Sequence, residues 1–182
     1  YDHSGMAHLL AEHLESVLGW EAGPADVMNG YGVGGNVANG GFEEIAPFGG
    51  YGWRYVSAPN VQRISDVTVA FEGEHAVRLS DRANIHQPNP ATANQRVTAS
   101  VFLKGETGGE EATLVVDFRD QNMWTDPIEV TLETVSLTTE WTAFTISATA
   151  PEADPPVFHT RLTIQAGSSD TIYVDTVEMT TD

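Results

Sequence analysis

Two carboxylates near opposite ends of the chain carry the first chemical argument. Glu43 stands in the stretch Asn39-Gly40-Gly41-Phe42-Glu43-Glu44, and Asp175 in the closing run Ile172-Tyr173-Val174-Asp175-Thr176-Val177-Glu178-Met179. Carboxylates beside glycines, whose carbonyls no side chain shields, make an all-oxygen donor set that suits a hard cation such as calcium. The ordinary alternative is a pair of solvated carboxylates on edge strands. Zinc fits less well: there is no cysteine, the six histidines are scattered, and the spacing of His3, His8 and His13 does not bring two ligands onto one helix face. No Gly-x-Ser-x-Gly elbow, His-Glu-x-x-His helix or phosphate loop occurs, and with 26 acidic residues a carboxylate pair somewhere is no evidence of glycosidase chemistry. The chain is therefore expected not to be an enzyme.

The elements that must position these groups read as β. The closing run alternates apolar and polar with period two, so Ile172, Val174 and Val177 are expected to face a core while Asp175 faces an ion. Residues 39–44 read as an opening edge strand that pairs with it. Between them, Val67–Phe71, Ala76–Ser80, Arg96–Lys104, Ala112–Arg119, Ile128–Val135, Thr142–Ala148, Arg161–Gln165 and Thr171–Glu178 make eight candidate strands. Breakers separate most of them: Gly73, Pro88 with Pro90, Gly105 with Gly108-Gly109, Pro127, Pro151 with Pro155-Pro156, and Gly167. Short strands without intervening helices predict an all-β sandwich or jelly roll.

Three segments carry a family likeness. They are Asn39 to Glu43, Phe71-Glu72-Gly73-Glu74-His75-Ala76-Val77-Arg78-Leu79, and the ending Ile172 to Val177. In order and spacing they resemble carbohydrate-binding modules of the four/nine/twenty-two type, which have a galactose-binding-like jelly roll. That family usually ends on Tyr-x-Asp-Asp-Val, and here Thr176 replaces the second Asp. The likeness spans roughly residues 37 to 182. It implies a non-catalytic module that binds polysaccharide, of β-glucan or xylan type, and holds a structural calcium. Carried over residue by residue, it implies carboxylate ligands from Glu43 and Asp175 and mainly carbonyl ligands from Gly41, Glu72 and His75, with Glu44 or Glu74 as additions.

Sugar rings present CH-rich faces and many hydroxyls, so their binding surfaces combine aromatic platforms with planar hydrogen-bonding groups. Two stretches offer that combination: Tyr51-Gly52-Trp53-Arg54-Tyr55 and Arg119-Asp120-Gln121-Asn122-Met123-Trp124. In the strand before the second, Leu114, Val116 and Phe118 share one face, leaving Thr113, Val115, Asp117 and Arg119 on the other. In the family one sheet face often forms the glycan cleft. By the same phase Arg161, Thr163 and Gln165 would line it, with His86 and Gln87 nearby. The candidate sugar contacts are Trp124, Arg119, Gln121, Trp53, Tyr51, His86, Arg161 and Gln165. For Trp53, packing in the core is an equal alternative. Trp141 reads as a core or rim packer, and Trp20 as closing the N-terminal helix.

Composition bounds the rest. The 182 residues allow one domain with an appendage, and 41% hydrophobic content suits a folded chain. Eight basic residues, of which only Lys104 is lysine, give a net charge of −18, which disfavours nucleic acid and anionic membranes as partners. Such acidity also suits a salty, extracellular setting, where screening weakens self-repulsion. No run reaches the ~20 apolar residues of a membrane span. Beginning at Tyr1, the chain is expected to be a mature or excised piece. Residues 1–22 read as a helix, striped by Met6, Leu9 or Leu10, Leu14, Val17 and Leu18, with Ser4 as its cap and Gly19 as its stop. Tyr1 to Glu12 weakly resembles the last helix of SGNH-type esterases, which implies the end of an upstream catalytic domain. Residues 23–38 read as a Gly-rich linker and 39–182 as the module. The rival reading is a structural or adhesive sandwich that self-assembles through its N-terminal arm by strand addition.

Overall fold

A computed structural model describes residues 37–43, 53–56, 58–121 and 125–182. Among them are ten strands: β1 Arg54–Val56, β2 Val61–Ser65, β3 His75–Ser80, β4 Asn84–Pro90, β5 Arg96–Gly105, β6 Glu111–Arg119, β7 Glu129–Ser136, β8 Thr142–Thr149, β9 His159–Ala166 and β10 Thr171–Thr181. They form two five-stranded sheets, ordered β1-β4-β9-β6-β7 (sheet one) and β2-β3-β10-β5-β8 (sheet two). Every pairing is antiparallel.

The period-two pattern decides what lies between the sheets. Leu114, Val116 and Phe118 of β6, Leu162 and Ile164 of β9, and Ile85 of β4 face Val77 and Leu79 of β3, Val101 and Leu103 of β5, and Ile172 and Val174 of β10 in one buried cluster. The sandwich expected from the sequence is thus present. The expected helix at residues 1–22 and most of the Gly-rich arm lie outside the described residues.

Some strands differ from expectation. Residues 67–71 form turns and bends rather than a strand. Instead β1, β2 and β4 supply strands that the pattern did not signal. Pro88 and Pro90 hid β4, because proline removes a ladder N–H. They are tolerated because, among the described residues, β1 pairs only with Asn84–His86, so from Gln87 onward the described neighbour of β4 is β9. Gln87, expected near the cleft, points inward instead. Fully buried, it clasps the backbone of Ala38, accepting from its N–H at 2.7 Å and donating to its C=O at 3.0 Å.

The opening segment is a turn, not an edge strand. Asn39 and Phe42 take positive φ values of 50° and 56°, and the Phe42 N–H closes the turn on the Asn39 carbonyl at 3.2 Å. Its link to the closing strand is one backbone bond, Val177 N–H to Gly40 O at 3.0 Å. Nor is β10 an edge: it is the central strand of sheet two. Its pairing with β5 shifts register between Asp175 and Glu178, with Thr176 left-handed at φ 43°. This bulge is why both Val174 and Val177 face the core despite their odd spacing.

A Cβ on Gly40 would lie 1.9 Å from the Val177 carbonyl oxygen, which is backbone and cannot swing away. Gly40→Ala is expected to destabilise the domain by about 1–3 kcal/mol. A denaturant midpoint unchanged from the parent would show that the two ends are not apposed.

Candidate functional site

Two sites emerge from this framework. The first lies where the chain ends meet the loop 66–74, which crosses the outer side of sheet two. Phe71 of that loop stacks on Phe102 of β5, with ring centroids 3.8 Å apart, and meets Trp141 edge-on at 6.0 Å. Lys104 Nζ and Trp141 Nε1 both donate to the Val69 carbonyl, at 3.0 and 3.1 Å. Trp141 is thus a rim packer, as expected.

Under this strap lies Asp175, fully buried. Its Oδ2 accepts the N–H groups of Phe71 (2.8 Å) and Glu72 (3.2 Å), and its Oδ1 accepts the Thr176 N–H (2.7 Å). Burial is the largest influence on this carboxyl and pushes its pKa up; the amide donors oppose that, and nearby Glu43 adds to it. Glu43 lies across the loop. Its Oε1 accepts from Glu74 N and His75 N at 2.9 and 3.0 Å, and its Oε2 meets His75 Nδ1 at 2.8 Å. Desolvation works to raise the Glu43 pKa, but the His75 and backbone donors together lower it. Gly73, left-handed at φ 70°, permits this contact, since a Cβ there would sit 2.2 Å from Glu43 Oε1.

The structure brings Glu43 and Asp175, the two carboxylates named from the sequence, to the same loop. What sequence reasoning missed is that peptide N–H groups of the loop serve both of them. No three His, Cys, Asp or Glu side chains converge as a metal cluster among the described residues. An ion held here would draw its remaining ligands from carbonyls and water.

The second site is the solvent-facing side of sheet one. The registers set its rows: Arg54, His86, Thr163, Val115 and Leu132 run side by side across all five strands, and Pro88, Arg161, Asp117 and Val130 form the next row. Asp117, 2% exposed, is bracketed by two guanidinium groups. Arg119 Nε donates to its Oδ1 at 2.5 Å, while Arg161 donates to its Oδ2 through Nε at 2.9 Å and Nη2 at 2.7 Å. Buried charge persists only when paired in this way.

Of the predicted sugar contacts, the structure brings Arg161, Gln165 and His86 to this one face. Gln165 donates to the Arg82 carbonyl at 3.1 Å. Gln121 is exposed in the loop after β6. Two expectations change. Arg119 is buried, its guanidinium spent on Asp117 and the Thr125 carbonyl, so it holds the loop rather than offering a free contact. Trp53 is fully buried against Phe42, with its indole N–H on the Asn39 carbonyl at 3.1 Å, so the packing alternative describes it. Tyr51 and Trp124 lie outside the described residues.

Sequence reasoning missed Arg54 and the exposed apolar pair Val130 and Leu132 as members of this face. The alternation in β7 puts that pair on one side. Only the register with β6 says which side.

His86 reports the field over the face. Desolvation first, then the positive charges of Arg161 and Arg54, bring its pKa down to about 4 from an ordinary 6.5, against the opposing pull of Asp117. Between those values the unfolded chain takes up a proton that the folded chain refuses. The contribution of His86 to stability is therefore whole above pH 6.5 and is lost as pH falls toward 4. Titration of the His86 ring by NMR is expected to give a midpoint near 4, and an unshifted midpoint would contradict this packing.

No protein-family model matches the chain, and no curated protein matches it. Solved structures do. The fold is similar to that of TmCBM61, solved in complex with β-1,4-galactotriose (20% identity, TM-score 0.56, 79% of this chain and 96% of that one). It is similar to the CBM22-2 xylan-binding domain of Xyn10C from Paenibacillus barcinonensis (11%, TM-score 0.58, 81% and 98%). It also resembles the CBM22-1–GH10 modules of endo-1,4-β-D-xylanase 10B from Clostridium thermocellum, complexed with xylohexaose (20%, TM-score 0.54, 71% of this chain but 26% of that one). At these identities the likeness is one of fold, and the chain has the jelly-roll β-sandwich of carbohydrate-binding modules.

Proposed function

We propose that this chain is a non-catalytic module that binds a β-linked polysaccharide across the open side of sheet one, outside the cell, and tethers an attached enzyme to its substrate. The observation that carries this reading is the row structure of that face. Planar and hydroxyl groups on β4 and β9 (His86, Arg161, Thr163, Gln165) lie beside apolar ones on β6 and β7 (Val115, Val130, Leu132) across one sheet. Such a surface matches sugar rings, which need hydroxyl partners and apolar contact together. Xylanase 10B, similar in fold over one module, carries such a module in one chain with a GH10 module. Tethering of that kind raises the local concentration of a catalytic partner without new contacts to it. Trp124, Gln121 and Tyr51 join this surface on their place in the sequence alone.

The Glu43–Asp175 site is read as a structural calcium site. Its chemistry fits: both carboxylates lack a lysine or arginine partner among the described residues, and one of them is fully buried. Glu43 and Asp175 would hold the ion with the carbonyls of Gly41, Glu72 and His75. Bound there, calcium would supply the positive charge that buried Asp175 lacks and join it to Glu43 in the folded state only.

Affinity electrophoresis through xylan, β-glucan and galactan gels, with calcium and with EDTA, tests the binding reading. At least one gel is expected to retard the protein, and Trp124→Ala to weaken that retardation by about tenfold without unfolding the domain. Passage through every gel by the folded protein would refute it.

Thermal unfolding tests the metal. Chelation is expected to lower the melting temperature, and Asp175→Asn to abolish the difference between the two buffers. Identical melting curves for the parent in calcium and EDTA would remove calcium from the account.

A further inference from the structure

We propose that Arg63 and Lys104 are positioning residues of the calcium site: each holds, by its backbone carbonyls, one of the two segments that bring the ligands together. This inference rests on the reading of Glu43 and Asp175 as a calcium site and adds the side chains that set its affinity.

Both cations reach the segments that carry the site, and both donate there to peptide carbonyls. Arg63, on β2, donates through Nε to the Phe42 carbonyl and through Nη2 to the Glu43 carbonyl, each at 2.8 Å. It therefore grips the chain at the residue whose carboxylate accepts from Glu74 N and His75 N. Lys104, the one lysine of the chain, donates to the Val69 carbonyl at 3.0 Å, beside the indole N–H of Trp141 at 3.1 Å. Its ammonium lies over two rings, 4.9 Å from the centroid of Trp141 and 5.2 Å from that of Tyr173, which favours this one position for the charge.

Val69 is well placed to transmit that hold. Asp66 closes the turn before it: its carboxylate accepts the Thr68 N–H at 2.8 Å and the Thr68 hydroxyl at 2.7 Å, and its carbonyl accepts the N–H groups of Val69 and Ala70 at 2.9 and 3.0 Å. A turn closed by four such bonds has little freedom of its own, so an anchor at Val69 fixes where the next residues run. Those are Phe71 and Glu72, whose N–H groups meet Asp175 Oδ2, and the carbonyls of Glu72 and His75 are the ones read as ligands. Because carbonyls take both cationic side chains, Glu43 and Asp175 keep no lysine or arginine partner among the described residues. Groups that orient metal ligands from behind typically change affinity 10–100-fold when removed. Charge alone works the other way, since taking a positive side chain from the neighbourhood of a cation tightens its binding. The direction of the change therefore separates positioning from charge.

Calorimetric titration of the intact chain with calcium, alongside thermal unfolding in calcium and in EDTA, tests this. The parent is expected to bind calcium, and Lys104→Met and Arg63→Met each to weaken that binding about tenfold or more, with Lys104→Arg recovering part of the loss. Where a methionine variant does not fold, Trp141→Phe, which removes the second donor on Val69, and Arg63→Lys, which keeps the charge without the two-pronged grip, take its place. Each of these is expected to weaken calcium binding by a smaller factor. Unchanged or tighter binding by a folded variant overturns the proposal for that residue and leaves the calcium reading standing, whatever happens to the melting temperature. Equal weakening by Arg78→Gln, whose side chain meets Glu106 and Thr171 instead, reduces the effect to a general loss of charge and overturns the proposal. A folded parent that takes up no calcium ends both readings.

Discussion

The burial of one carboxylate, Asp175, organises this domain. A buried negative charge with no cationic side chain beside it is costly, and the structure meets that cost with three peptide N–H groups at 2.7–3.2 Å. Two of those donors belong to the loop 66–74, so the need to satisfy Asp175 fixes where the loop crosses sheet two. The aromatic stack of Phe71 on Phe102 and the pair of donors on Val69 O then hold the same strap from its other end. Alternation aims the carboxylate outward beside inward Val174, and the bulge at Thr176 returns Val177 to the core. The entry turn, fastened to Val177 through Gly40 and to Gln87 through Ala38, closes the assembly.

The opposite sheet solves the same problem differently. Asp117 is also buried, but it is neutralised by two guanidinium groups rather than by amides. Amides leave a net negative charge, which suits a cation arriving from solution. Two arginines on one aspartate satisfy it without leaving a bare negative charge.

Rigid strands set the grain of the open face. Antiparallel register aligns Arg54, His86, Thr163, Val115 and Leu132 across the sheet, so polarity changes gradually from the β1 edge to the β7 edge. Structures of similar fold include a complex with galactotriose and another with xylohexaose, which illustrates that fold alone does not choose the sugar.

By itself the amino-acid sequence determined the all-β class, because period-two alternation between turn residues permits little else. It also determined the inward face of β6 and β9, and it singled out Glu43 and Asp175, which the fold brings to one loop. Local pattern could not reveal β4, since the proline penalty depends on whether a neighbouring strand is present, nor that residues 39–43 turn rather than extend. The role of Trp53 was equally hidden: a tryptophan in a Gly-rich stretch looks the same whether it caps a core or faces a ligand, and the packing of Phe42 decides it. Arg119, Arg161 and Asp117 are legible as residues of one face. That one carboxylate would consume both arginines, and that Arg54 and Leu132 would join them, follows only from register. Register is a long-range property set by sheet pairing, and tertiary structure alone supplies it.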